Sequence, residues 1–501
     1  LHQKRGNVKK KVIVIGSGLG GLAVACRIAA SGHEVEIFEK RAIPGGSNSV
    51  IEINGFKFDG IPSLVTAPYL LDEIFAFCGE KRAEHISLLP VDPYYRIFQF
   101  EGKSFDYTGN PDRMALEIEK WSPADIAGYH NLLESNKRIN KKWHSLFTEK
   151  PSLNLFDVFR ILPSLISLQN QKNMVSYVSK YIHNEFLQQV FSFHPLLIGS
   201  NPFEVSAISS MSQYMEKEYG VYHPLGGFGK IIDSLIQIFN GSGGTIHYNL
   251  EVTEIILEQH KVKGVRLHDG SIHRADVVIS DIDTASTYLK LIPQSQRRKN
   301  SDQKYQKAQY SMSLFGIFIG TNHQYLDSRL VHKNCFFAPR YKELMEDIFH
   351  KKILADDFFL IVNMPTRTDP SIAPEGCELF SIYTPVPNLD AEIDWGISAK
   401  SFRYAILEFL EKNYLPDLRS HIIAESYIDP LYFQNTLSKY KGSAFSLLPT
   451  MIQSPWFRPH NQSEDFENLF IVGAGTHPGA GMADVLNSAK IVGNLVDQYL
   501  K

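Results

Sequence analysis

A chain of 501 residues with 44% hydrophobic and 21% charged residues is large enough for two or three domains around a substantial core, and this composition excludes a disordered protein. A formal net charge of −3 supplies no basic surface, so no nucleic-acid partner is expected. The four cysteines, Cys26, Cys78, Cys335 and Cys377, contain no C-x-x-C pair, which argues against zinc and a disulfide framework and fits a reducing cytoplasm.

The basic start LHQKRGNVKKK reads as a solvated arm, because VIVIG then runs straight into glycines rather than into the apolar stretch of a signal peptide. That strand-like run opens the main motif. Gly16, Gly18 and Gly21 form G-x-G-x-x-G between a β-branched strand and an Ala/Leu-rich helix. The first glycine permits the tight turn and the second lets the backbone approach a pyrophosphate. The third lets the helix pack close to the strand, with its N–H groups facing the phosphates. A second strand, EVEIFEK, ends on Glu39 and Lys40, about twenty residues on, where an acid accepts hydrogen bonds from ribose hydroxyls. The acid disfavours NADP, whose extra phosphate needs a cation. A second glycine loop, Gly45-Gly46, follows the acid, and Asn54-Gly55 then marks a hairpin. A dehydrogenase of the NAD type continues directly into another helix and strand. A glycine loop here instead lays more backbone along an extended cofactor, which favours FAD.

From Asn110 to Met215 the pattern is mostly helical, rich in leucine and aromatics. Two stretches there, Leu153 to Leu168 and Phe191 to Phe203, are apolar enough to be either plain core or a tunnel or membrane-facing collar. YHPLGGFGKIIDSLIQIF then gives a glycine turn and a helix. A run of strands follows, with Val252 near its start and counted among the cofactor-binding positions, Asp269-Gly270 as a hairpin turn, and VVIS (Val277 to Ser280) returning to the central sheet. Near the end, ENLFIVGAGTHPGAGMADVLNSAK repeats strand, glycine loop and helix through Gly473, Gly475, Gly479 and Gly481. Asp484 and Val485 open that helix, whose N-terminus can stabilise negative charge, including that of a reduced flavin. No run reaches the ~18 apolar residues that a spanning helix needs.

Taken together, IGSGLGGLA, PGG, GFKFD, FSFHPLLIG, NPFEVSAI, YHPLGGFG, FFAPRYKELMEDIF, PTRTDPSIAPEG, PVPNLD, KGSAFSLLPTMIQSPWFRPHN and NLFIVGAGTHPGAG resemble the bacterial-type phytoene desaturases, carotenoid-making members of the FAD-dependent amine-oxidase-like superfamily. The resemblance covers nearly the whole chain. It implies FAD, a long-chain isoprenoid substrate such as phytoene taken towards lycopene, and oxygen or a quinone as electron acceptor. It also implies an enzyme in the cytoplasm attached peripherally to a membrane surface. The family's D-x-x-R helix matches LFDVFRILPSL and so gives Asp157 and Arg160 as catalytic. Three apart, they share a helical face, where Arg160 would favour the Asp157 carboxylate; the alternative is a surface ion pair.

The implied fold class is α/β. A discontinuous Rossmann-type FAD-binding domain (8–75, 222–290, 465–501) is joined to an α+β substrate domain (76–109, 291–464) and a helical membrane-associating region (110–221). The chain departs from the family at flavin-facing loops. It has Ser47 where relatives have arginine, FDGIPS for FDAGPT, and GMADVLNSAK for GIPGVIGSAK, which puts Asp484 in place of a glycine. Other readings are a C30 desaturase, a later-step desaturase or an isomerase, and a non-catalytic isoprenoid-binding relative.

Overall fold

The computed structural model describes residues 9–61, 64–99, 102–147, 172–450, 453 and 458–501. Among them, Lys11–Ile15 forms the centre of a five-stranded sheet in the spatial order Leu469–Ile471, Val277–Ser280, Lys11–Ile15, Glu34–Phe38, Thr245–His247. Every pairing in it is parallel. Parallel sheets are covered on both faces, so their strands read as continuous β-branched runs. Here the two faces separate by the period of two that a strand imposes. Val12 and Val14 pack under the helices Leu19–Ala30, Gly229–Gly241 and Met482–Tyr499. Ile13 and Ile15 face Val252–Glu258, Lys261–Leu267 and the helix Thr284–Leu291. VVIS thus lies inside the central sheet, beside the first strand.

A second, seven-stranded sheet has the order Ile422–Ile428, Ser313–Thr321, Glu378–Val386, Leu360–Asn363, Lys333–Phe336, Tyr95–Phe98, Ser104–Tyr107. It is antiparallel except where Lys333–Phe336 meets Tyr95–Phe98. One face packs on the long helix Trp395–Asn413. The other meets the helical segments, among them Pro111–Glu119, Asp125–Phe147 and Glu185–Val190. Pro111 sits at the first helical position of its helix, and the Asn110 side chain accepts from the N–H groups of Asp112 and Arg113, so sequence and cap agree on where it starts.

The expected hairpin at Asn54-Gly55 joins Val50–Ile53 to Phe56–Asp59. Both turn residues have positive φ, 50° and 83°, as a tight two-residue hairpin requires. The stretch from Phe191 to Phe203 is largely core: Phe191, Phe193 and Leu196 are fully buried. His194 is buried with them and its Nε2 sits 3.1 Å from Glu216 Oε2, while Tyr95 donates its hydroxyl to the same carboxylate. Asp157, Arg160 and the whole of Leu153 to Leu168 lie outside the described residues.

Candidate functional site: a glycine-lined cleft at the carboxyl edge of the parallel sheet

Ligands of open α/β sheets bind beyond the carboxyl ends of the strands, and there the structure opens a cleft of ≈ 420 Å³. Ile15, Gly16, Phe38, Glu39 and Asp281, which end or directly follow strands of the parallel sheet, line it together with Gly473, two residues beyond Leu469–Ile471. Gly16 makes its turn at φ 93°, a conformation that side chains resist. Gly18 precedes the helix Leu19–Ala30 and, as its N-cap residue, supplies no side-chain cap; the Asp281 carboxyl group lies against this first turn at the edge of the cleft. A side chain at Gly21 would stand 2.5 Å from the Gly16 carbonyl oxygen. That glycine therefore serves the packing of helix on strand and does not line the cleft.

The second glycine loop lies against the first. Gly45 N–H donates to Ser17 O at 2.9 Å, and a Cβ on Gly46 would fall 3.2 Å from Gly18 Cα. Arg41 braces this loop by donating to Gly46 O and Ser49 Oγ, each at 3.2 Å. Glu39 is held from three directions: Oε2 accepts from Ser17 N–H (2.9 Å) and Ser17 Oγ–H (2.7 Å), and Oε1 from Arg41 N–H (2.9 Å). A carboxylate offers about four acceptor positions, so Glu39 retains capacity for a ligand hydroxyl. Lys40 donates to Ser438 Oγ at 2.8 Å and Asn435 O at 3.2 Å, and burial lowers its pKa. Val252 is buried and faces the cleft.

The C-terminal loop completes the wall through Gly473, Gly481, Met482 and Val485. Gly475 lies behind it, where a side chain would meet Thr284 Oγ1 at 2.5 Å. Asp484 also lies behind the lining. Burial pushes its carboxyl up to about 6, and the Arg458 charge opposes that rise. Arg458 is buried and donates to the carbonyls of Thr476 (3.0 Å), Ala474 (2.6 Å) and Leu447 (3.2 Å). It thereby ties the glycine loop that follows Leu469–Ile471 to the segment around Leu447. Ile61, Leu437, Ala444, Phe445 and Met482 add apolar side chains to the lining.

The residues present fit a dinucleotide: two glycine loops, a helix N-terminus at the cleft and an acid at the second strand's end. Ser17, Arg41, Arg458 and Asp281 did not emerge from the sequence reading. Asp281 carries the best recoverable signal, as the acid directly after a buried strand of the parallel sheet.

This fold and cleft define the class of flavin-dependent oxidoreductases. The family model of flavin containing amine oxidoreductases matches residues 19–496, and the chain belongs to that family. Its cofactor is accordingly FAD. The chain is 39% identical to a lycopene-forming phytoene desaturase of Pseudescherichia vulneris, over 98% of this chain and 100% of that one. It is 35% identical to a neurosporene-forming phytoene desaturase of Rhodobacter capsulatus, over 97% and 94%. A crystal structure of an oxidoreductase from Methanosarcina mazei shares the fold, with a TM-score of 0.62, 20% identity, and coverage of 97% and 100%.

Proposed function

We propose that the protein is an FAD-dependent carotenoid desaturase that takes phytoene towards lycopene. The observation that carries this reading is the full-length likeness to phytoene desaturases, joined to a cleft whose walls suit FAD. Gly16, Gly18, Gly45 and Gly46 admit the diphosphate and the chain that flanks it, and Glu39 accepts from the adenosine ribose. Lys40 and Val252 border the adenosine end, while Gly473, Gly475, Asp484 and Val485 belong to the loop and helix at the flavin end. The chemistry that FAD supplies when bound is acceptance of a hydride from carbon, leaving a proton to be removed from the adjacent carbon.

For that proton we assign Asp157 as acceptor, with Arg160 holding it as the carboxylate. The apolar side chains Ile61, Leu437, Ala444, Phe445 and Met482 in the lining suit a hydrocarbon substrate, because they offer it no polar partner. The five-stranded sheet drawn from 11–15, 34–38, 245–247, 277–280 and 469–471 supports an FAD domain assembled from 8–75, 222–290 and 465–501. Among the described residues no helix is long and apolar enough to cross a membrane. Attachment to the membrane surface through 110–221 is the corresponding proposal, since the substrate dissolves in lipid, and oxygen or a quinone takes the electrons onward. Liposome flotation tests attachment, and protein recovered without lipid at every lipid composition contradicts it. The reading as a whole is tested by incubating FAD-loaded protein with liposomal phytoene. New polyene chromophores are the expected result; unchanged phytoene beside bound FAD overturns it.

A further inference from the structure

The glycines of both chain ends converge on a single side chain. A Cβ at Gly18 would collide with Asp281 Oδ2, at Gly20 it would lie 2.6 Å from Oδ1, at Gly21 3.0 Å from Oδ2, and at Gly473 3.1 Å from Oδ1. The backbone N–H groups of Gly21 and Gly18 lie close enough to this carboxyl group to pull its pKa down, and Asp281 lines the cleft with Gly16, Gly18 and Gly473. Its own N–H is fixed to Ile15 O at 2.9 Å, so the backbone holds the carboxyl over the loop. The N–H groups that a diphosphate uses in such a fold therefore have a carboxylate of the same charge lying against their loop.

We propose that Asp281 is a proton-linked gate on FAD binding: as the diphosphate takes the N–H donors of the Gly16–Gly21 loop, the Asp281 carboxyl group lying over that loop gains one proton. This rests on the FAD reading of the cleft. The balance is simple: protein with ionised Asp281, FAD and one proton give the complex with neutral Asp281, and no covalent bond to carbon changes. An ionised carboxylate beside a diphosphate would place like charges together in a partly desolvated site, which costs several kcal/mol, so neutralisation is the lower path.

The surroundings already lean that way. Burial raises the Asp281 pKa to about 7, with the Glu39 charge adding to the rise and the nearby Gly21 and Gly18 N–H groups and the Lys439 charge opposing it. The glycine loops that pack on it bring no charge. On its own segment the neighbouring acid, Asp283, is engaged by Ser446 Oγ (2.5 Å) and Ser286 N–H (3.3 Å).

The sign follows from linkage. FAD binding takes up a proton, so affinity is highest below the Asp281 pKa and falls as pH rises above it, by up to tenfold per unit. With a pKa of about 7, the FAD Kd is expected to weaken by about 30-fold between roughly pH 6 and pH 8.5.

The experiment is FAD titration of the cofactor-stripped full chain by flavin fluorescence across that range, for the wild type and Asp281→Asn. The proposal predicts a sloping wild-type Kd, and for the variant a flat Kd near the wild-type value at low pH. Calorimetry on the wild type, in two buffers of different ionisation enthalpy, should show uptake of close to one proton per FAD at about pH 8. That second measurement keeps the test decisive if the variant folds poorly. A flat wild-type Kd, zero proton uptake, or a variant with the wild-type slope overturns the gate while leaving FAD binding intact. Absence of FAD binding at every pH overturns the reading of the cleft and the gate with it.

Discussion

Replacing Glu39 by glutamine tests whether the cofactor acid is also a structural tie. The carboxylate accepts from Ser17 N–H, Ser17 Oγ–H and Arg41 N–H, and each hydrogen bond to a charged group contributes about 1.5–3 kcal/mol. The amide oxygen of glutamine can keep the two Ser17 donors, though as neutral bonds worth about half as much. The amide NH2 then faces the Arg41 N–H, so that bond is lost and two donors oppose each other. Relief from holding a charge that is only 6% exposed offsets part of the loss. The net expectation is a destabilisation of about 2–4 kcal/mol, read as a lower urea midpoint at unchanged slope. FAD affinity should fall together with stability, by roughly 10- to 100-fold, for the loss of one charge-assisted bond to the ribose. A variant with wild-type stability and wild-type FAD affinity would refute both roles. Wild-type stability with weakened FAD would show that Ser17 and Arg41 need no tie to Glu39.

Asp484→Asn should stabilise the protein at neutral pH by up to about 3 kcal/mol, the linkage value of a carboxyl raised from 3.8 to about 6. Because the folded pKa lies above the unfolded one, the wild type loses this stability as pH rises between about 4 and 6, so the gain should vanish below about pH 4; equal urea midpoints at neutral pH would count against the assignment. Gly18→Val should abolish flavin absorbance in reconstituted protein, since its side chain would collide with Asp281 and keep the backbone from approaching the diphosphate, and retained FAD affinity would sink that placement. Asp157→Asn and Arg160→Ala should slow flavin reduction by substrate by about 10²–10⁴ with FAD still bound, and wild-type rates in both would remove them from the mechanism.

What could be read in the sequence is what the backbone demands locally. Gly16 and the Asn54-Gly55 turn announce themselves because their φ values, 93°, 50° and 83°, exclude most side chains. The parallel strand Val277–Ser280 is legible from its β-branched run Val277, Val278 and Ile279, and Glu39 by its distance from the glycines. The order of the seven-stranded sheet is not legible. Ser313–Thr321 and Glu378–Val386 are buried at every position, so they carry no alternation to show which face or which neighbour they take. Asp281, Ser17 and Arg458 escaped for a related reason. Their partners are loops brought together by the sheet, and nothing in their local sequence separates an acid over a glycine loop from any acid after a strand.

The central claim is that this cleft couples FAD to the oxidation of a hydrocarbon. It is tested most directly by mixing FAD-loaded protein with liposomal phytoene without oxygen or quinone, and following flavin absorbance and polyene content together. The account predicts that oxidised flavin bleaches in step with the appearance of one new double bond per flavin reduced. Flavin that stays oxidised in the presence of phytoene, with no new double bond formed, would contradict it.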